Sequence, residues 1–357
     1  MSNRWRVLGG VVAGLLVAGA VVTALSVGAD RAARLAGGAP PEVVRPEDAR
    51  PAPELAGIGE WLNSAPLTMA GLRGRVVLVD FWTYSCINCR RTFPFLRALH
   101  ETYSDRGLTI VGVHAPEFDF EASPDNVERA VRDLDVTWPV AQDPDLATWD
   151  AFRNDYWPAK YLVDRHGLIR LVHIGEGDEE EIEDAVRGLL ADGGDPGPVR
   201  AGAKHEPDTG RQTPELYLGY SRGLLVPDGK TQDRADAPGG RNAVRLDGRF
   251  TGAKEWLSAA APGATVTVDY TARDVYAVLA PPAGTVAPQR LEVRWNDAPV
   301  PADRRGRDVV AEDGRTYVDV EADDLYHLLT GPSPGDARVT LVATQPGVRF
   351  FTFTFGR

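Results

Sequence analysis

Only two cysteines occur in the 357 residues, and they stand in the run Cys86-Ile87-Asn88-Cys89. A loop this short constrains the unfolded chain little, so the pair has more value as chemistry than as a staple. Two thiols at this spacing can close to a disulfide and reopen through a mixed disulfide with a partner. The pair follows Val76–Trp82, an almost continuous apolar run that suits a strand buried on both faces. After it, Phe95, Leu96, Leu99 and Tyr103 form a stripe at helical spacing. Cys86 is therefore expected at an exposed helix start, where N–H groups and the helix dipole favour a thiolate. Moving a thiol pKa from about 8.5 to about 6 takes roughly 3.4 kcal/mol of thiolate stabilisation. Cys86 is the expected nucleophile and the less exposed Cys89 the resolving thiol.

Half of a zinc site and an inert short-loop disulfide are the alternatives. Structural zinc needs four ligands, and the six histidines, at 100, 114, 166, 173, 205 and 327, offer no second pair. No metal is expected. The acidic run Glu179–Glu181 reads as helix-start chemistry.

The elements that must position the pair alternate strand and helix from about residue 58 to 193. Strands are expected at 76–82, 108–113, 160–163 and 168–174, and helices at 86–103, 126–134, 146–153 and from 178 to before Gly193. This pattern is that of an α/β sheet. Prolines and glycines in 194–212 mark a linker. From 213 to 357 short alternating segments such as 265–270, 291–295, 339–343 and Phe351/Phe353/Phe355 predict an antiparallel β-sandwich. Upstream, Val7–Gly28 carry no charge. As a helix they would span roughly 33 Å against a hydrocarbon core of roughly 30 Å. Residues 1–29 are expected to be a single transmembrane anchor, a cleaved signal peptide being the alternative. The proline-rich stretch 30–57 is expected to be a semi-rigid spacer. Either N-terminal reading places the rest outside the cytoplasm. A net charge of −12 argues against a nucleic-acid partner.

The run Val79–Cys89 resembles the active-site strand and turn of thioredoxins. Leu72–Pro94 is most similar to mycobacterial DipZ-type proteins and the membrane-tethered cytochrome-c-maturation thioredoxins. The resemblance implies a thioredoxin-like domain, a central mixed sheet flanked by helices. It implies that Asp80 is a buried acid taking a proton from Cys89, and that Trp157-Pro158 is a cis-proline loop presented to substrate. It implies a helix kink at Pro94, an acid near the dithiol at Glu117, and redox-tuning or substrate roles for Trp82, Tyr84, Ile87 and Asn88. Ser85 departs from the usual tryptophan before the first cysteine, and Ile87-Asn88 sets no potential. Arg90 and Arg91 either stabilise a thiolate or are solvated.

The region opening at Thr213–Tyr220 resembles a carbohydrate-binding-module-like, jelly-roll-like sandwich. Trp256, Trp295, Tyr276, Tyr317 and Tyr326 are candidates for a sugar-stacking platform or for core. The resulting expectation is an extracytoplasmic thiol–disulfide oxidoreductase acting on exported protein thiols and disulfides. It would need no cofactor beyond the Cys86–Cys89 disulfide. A reductase is favoured over an oxidase and would need a separate membrane electron donor. The rival from another class is an envelope glycan-binding protein with an incidental dithiol.

Overall fold

The computed structural model describes residues 43–197 and 212–356, apart from residues 224, 237–239, 241 and 286. The expected anchor (1–29), the first part of the expected spacer (30–42) and most of the second linker (198–211) lie outside the described residues. Among the described residues no helix is long and apolar enough to cross a membrane.

The first sheet has seven strands: β1 (Arg50–Pro51), β2 (Trp61–Leu62), β3 (Val76–Trp82), β4 (Leu108–His114), β5 (Val140–Gln142), β6 (Ala159–Val163) and β7 (Leu168–Ile174). Their order is β1-β7-β6-β3-β4-β5-β2. β3 runs parallel to β4 and antiparallel to β6. A parallel neighbour requires a crossover, and α1 (Ile87–Tyr103) supplies it. Three further helices follow: α2 (Pro124–Asp133), α3 (Ala147–Phe152) and α4 (Glu179–Ala191). Alternate residues of β3 enter opposite cores. Val76 and Leu78 meet Leu96 and Leu99 of α1 and Ile182 and Val186 of α4. Val77, Val79 and Phe81 meet Trp149 and Phe152 of α3. Helices on both faces explain why the run carries no polar alternation. This mixed sheet between helices is the thioredoxin-like fold.

Helix boundaries differ by small amounts from the periodicity. α2 begins at Pro124, because proline fits a first helical turn where its missing N–H has no partner to lose. The acidic run Glu179–Glu181 fills the first turn of α4.

Residues 43–57 do not behave as the spacer their prolines suggest. Val44 N–H donates to Arg170 O at 2.6 Å, and Arg50–Pro51 pair with β7. Ala56 exchanges two hydrogen bonds with the Thr148 hydroxyl, at 2.8 and 2.7 Å. The prolines are tolerated because this is a sheet edge, where an N–H is dispensable.

The C-terminal region is all β, as expected. It contains β8 (Leu216–Tyr217), β9 (Thr231–Ala235), β10 (Val244–Gly252), β11 (Leu257–Ala259), β12 (Thr265–Ala272), β13 (Asp274–Ala280), β14 (Gln289–Trp295), β15 (Ala298–Pro299), β16 (Val309–Glu312), β17 (Arg315–Val320), β18 (Asp324–Leu329), β19 (Gly335–Ala343) and β20 (Arg349–Gly356). These strands form one hydrogen-bonded sheet whose main path runs β16-β17-β14-β19-β12-β10-β11-β20-β13-β18. The two ends of that path meet: Gly306 N–H donates to Leu328 O and Thr330 N–H to Arg304 O, both at 3.0 Å. The sandwich halves are thus joined into a near-barrel around a single core. β12 alternates as predicted, with Val266, Val268, Tyr270 and Ala272 inward. β20 does not. Its register against β13 shifts between Val278 and Leu279. Such a bulge inserts a residue and flips the side-chain phase. Phe350, Phe353 and Phe355 enter the barrel core, whereas Phe351 points to the other face. There it meets Ile87 and Phe118 of the thioredoxin-like region. The described residues from Val43 onward form one compact unit.

Candidate active site

β3 ends at Trp82, and a three-residue turn delivers Cys86 as the residue capping the start of α1. Cys86 is extended (φ −79°, ψ 111°), and its sulfur accepts the Cys89 N–H at 3.2 Å. Both cysteines are free thiols; Cys89 is buried and Cys86 half-buried. The expected ionisation of Cys86 is corrected in direction. Burial first, then hydrogen bonding to Cys89 and the charges of Cys89 and Glu117, push the Cys86 thiol well above its ordinary range. The helix-start N–H works the other way and is outweighed. The physical reason is a cover. Ile87 lies under Val278, Leu325 and Phe351, so the C-terminal region keeps water from the start of α1.

Asp80 is fully buried and pairs with Lys160 at 3.3 Å across the β3–β6 ladder. By strand period it shares the face of Leu78 and Trp82, whose cluster contains Cys89. Burial, opposed by Lys160, raises its pKa. Lys160 was read only as part of a strand. Opposite it on β7, His173 is pushed down to about 4 by burial and by Lys160.

Sequence reasoning missed Glu121. One of its oxygens accepts the Ser85 hydroxyl at 2.5 Å and the Ser85 N–H at 3.3 Å. The other accepts Glu117 N–H at 2.7 Å and Phe118 N–H at 3.0 Å. The carboxyl is fully buried and is pushed up to about 7, by burial first and the Glu117 charge second. It ties the residue before Cys86 to the loop after β4. That use of a hydroxyl accounts for Ser85. An acid among the aromatics of Phe118-Asp119-Phe120-Glu121 was the signal available.

The remaining expected residues divide by burial. Trp82 packs edge-on to Phe93 and His114, and Tyr84 stacks on His114 at 5.6 Å. Both are fully buried, so they shape the turn and offer no surface to a substrate. Ile87 is covered, whereas Asn88 is exposed. The Trp157-Pro158 bond is cis, and its place beside the end of β3 follows from the Phe81–Ala159 register. Trp157 donates Nε1–H to Ala115 O at 2.9 Å and packs against Trp149 with the two rings tilted by 36°. Pro94 lies inside α1. Glu117 accepts the Tyr217 hydroxyl at 2.7 Å and Arg222 at 2.6 Å, both from the C-terminal region.

Arg90 and Arg91 are neither solvated nor bound to sulfur. Arg90 donates to Tyr84 O at 2.5 Å and pairs with Asp324, and Arg91 pairs with Glu176 and lies over the Tyr276 ring. The candidate stacking aromatics form no common platform. Trp256 and Tyr276 pack at the cover over Ile87. The Tyr326 hydroxyl is bonded to Ala322 O, Trp295 packs against the barrel core under Arg304, and Tyr317 lies under Arg290. Among the described residues no group of His, Cys, Asp or Glu could hold a metal ion.

A family model described as AhpC/TSA matches residues 50–172, and one described as a thioredoxin-like C-terminal domain matches 213–356. DipZ of Mycobacterium tuberculosis is 38% identical over 243 residues, covering 64% of this chain and 35% of that protein. The chain therefore spans about a third of that relative. The thiol-disulfide oxidoreductase YkuV of Bacillus subtilis is 32% identical over 143 residues, 40% of this chain and 96% of that protein. The thiol-disulfide oxidoreductase ResA of Halalkalibacterium halodurans is 29% identical over 125 residues, 35% of this chain and 68% of that protein.

Proposed function

The chain belongs to the thioredoxin-like thiol–disulfide oxidoreductases, and from that premise we propose that it reduces disulfides in exported proteins through Cys86 and Cys89. The single observation that carries the reading is the capping position of Cys86, with the Cys89 N–H on its sulfur and Cys89 buried behind it. Cys86 loses its proton and attacks one sulfur of the substrate disulfide. The substrate S–S bond breaks, a mixed disulfide forms, and the departing sulfur takes up a proton. Cys89 then gives its proton to Asp80, whose partner Lys160 offsets the carboxylate charge, and attacks the Cys86 sulfur. The second substrate thiol leaves, two electrons have passed to the substrate, and Cys86–Cys89 is a disulfide. Pro158, beside the end of β3, belongs to the loop that receives the substrate segment. Asn88 is the residue between the cysteines that is exposed to it.

The state of Cys86 supports this direction. A dithiol is a strong oxidant when its reduced form is stabilised. Here burial and nearby negative charge disfavour the thiolate, which supports a reductant. Regeneration requires an electron donor. With residues 1–29 as a membrane anchor and the working regions 58–193 and 213–357 outside the cytoplasm, that donor is a separate membrane protein.

The test is insulin reduction by the full chain with dithiothreitol as donor. Wild type should precipitate insulin chains, Cys86→Ser should not, and Cys89→Ser should accumulate mixed disulfides with envelope proteins. Insulin reduction that survives Cys86→Ser would remove the reading.

A further inference from the structure

A proton that reaches Asp80 is shut in. Asp80 and Lys160 are 0% and 1% exposed, and they face each other across β3 and β6 with Lys160 Nζ 3.3 Å from Asp80 Oδ1. The register continues this row, because Lys160 is the direct partner of His173 on β7. Directly opposed residues of antiparallel strands share one face of the sheet, with Cβ atoms about 4.5–5.5 Å apart. His173 is itself buried, and the row ends there, since β1 pairs with β7 only at Leu168 and Ile169. Its two ring nitrogens differ. Nδ1 lies 3.6 Å from Oδ2 of Asp178, whose side chain is 43% exposed. Nε2 is buried without a hydrogen-bond partner. Leaving a buried acceptor open is unfavourable, which suits a nitrogen that takes up a proton in turn. The Lys160 ammonium has three protons to donate, more than Asp80 alone can use. The charged groups facing His173 are Lys160 from β6, Asp178 from the turn into α4, and Glu176 of the same turn, which Arg91 of α1 engages.

We propose that His173 and Asp178 discharge Asp80: the proton that Asp80 takes from Cys89 leaves along this row, through Lys160 and His173, to water at Asp178. The inference rests on the exchange reading of Cys86 and Cys89 and adds how its proton is cleared. Lys160 gives one ammonium proton to His173 Nε2 and takes the Asp80 proton in its place. His173 releases its Nδ1 proton to Asp178, which passes it to water. Asp80 is then a carboxylate again, Lys160 a cation and His173 neutral, so each pass moves one proton and no electron. Imidazole suits this task because one nitrogen can take up a proton as the other releases one. Burial and Lys160 hold the His173 pKa down at about 4, so the ring is neutral at pH 7 and has a lone pair to accept with. Contacts of this kind are often long in the resting protein and tighten during reaction. His173 acts through Asp80 and is a positioning residue for its proton.

The experiment mixes the reduced full chain with one equivalent of dithiobis(nitrobenzoate), an aromatic disulfide that releases a coloured thiolate, in a stopped-flow instrument. Attack by Cys86 releases one thiolate, and attack by Cys89 on the mixed disulfide releases a second. Only the second step sends the Cys89 proton through Asp80. At pH 7, His173→Gln should leave the first phase unchanged and slow the second about ten- to hundredfold, at or below the low end of what a positioned proton transfer contributes. Asp178→Asn, at an exposed position, should slow the second phase by a smaller factor. The His173→Gln deficit should narrow towards pH 9, where hydroxide takes up the proton. In an Asp80→Asn background His173→Gln should add nothing. Thermal melting of each variant confirms the fold, and if His173→Gln does not melt cooperatively, Asp178→Asn decides. An unchanged second phase in the folded single variants, or a His173→Gln effect that multiplies fully onto Asp80→Asn, would overturn the inference and leave the exchange reading standing. A wild type with no second phase would remove the exchange reading, and this inference with it.

Discussion

Glu121→Gln separates a tether from a bystander. The carboxyl accepts four hydrogen bonds, two from Ser85 and one each from the Glu117 and Phe118 N–H groups. Its pKa rises from 4.5 to about 7 in the folded protein. A raised acid binds its proton more tightly when folded, so the stability it contributes is fully present below about pH 4.5 and is lost as pH rises through about 7. A shift of about 2.5 units corresponds to about 3 kcal/mol at 1.36 kcal/mol per unit. Glutamine cannot titrate. Its amide can serve the Ser85 hydroxyl and the Glu117–Phe118 pair, but leaves the Ser85 N–H without an acceptor, at about 1–3 kcal/mol. Urea midpoints of wild type and Glu121→Gln, measured from pH 4.5 to 8, should therefore differ most at low pH. The gap should close by about 3 kcal/mol towards pH 8, with wild type losing stability. A difference that stays flat with pH would refute the placement of a buried titrating carboxyl at the Ser85 turn.

Lys160→Met leaves Asp80 buried without its partner and should cost about 3–5 kcal/mol by urea unfolding; Lys160→Met with Asp80→Asn should regain much of that stability and still lack insulin reduction. Gly112→Ala should cost about 1–3 kcal/mol by overpacking, because an added Cβ would stand 2.9 Å from Trp82 Nε1 and 3.0 Å from Trp138 Nε1. An unchanged melting temperature would show that the two indoles can move apart.

What was legible in the sequence was local. The apolar run of β3 announced a strand covered on both faces, the stripe after Cys89 announced α1, and Trp157-Pro158 and Asp80 were found from the resemblance. The rest depended on contacts between residues distant in the chain. Lys160 matters because register sets it opposite Asp80, 80 positions earlier. Glu121 binds Ser85 across 36 positions and Glu117 binds Tyr217 across 100, and no periodicity reports either. The direction of the Cys86 shift was misread for the same reason. A helix start favours the thiolate, and a second domain lying over that start reverses the balance. The bulge that turns Phe351 outward onto that cover is a one-residue register event invisible in Phe351-Thr352-Phe353-Thr354-Phe355.

The reduction potential of the Cys86–Cys89 couple tests most directly whether this dithiol gives electrons to its substrates. Equilibrating the full chain against glutathione and thioredoxin buffers, with trapping of free thiols, yields the value. A reductant should lie near about −270 mV, whereas a value near about −120 mV would mark a strong oxidant and contradict the assigned direction.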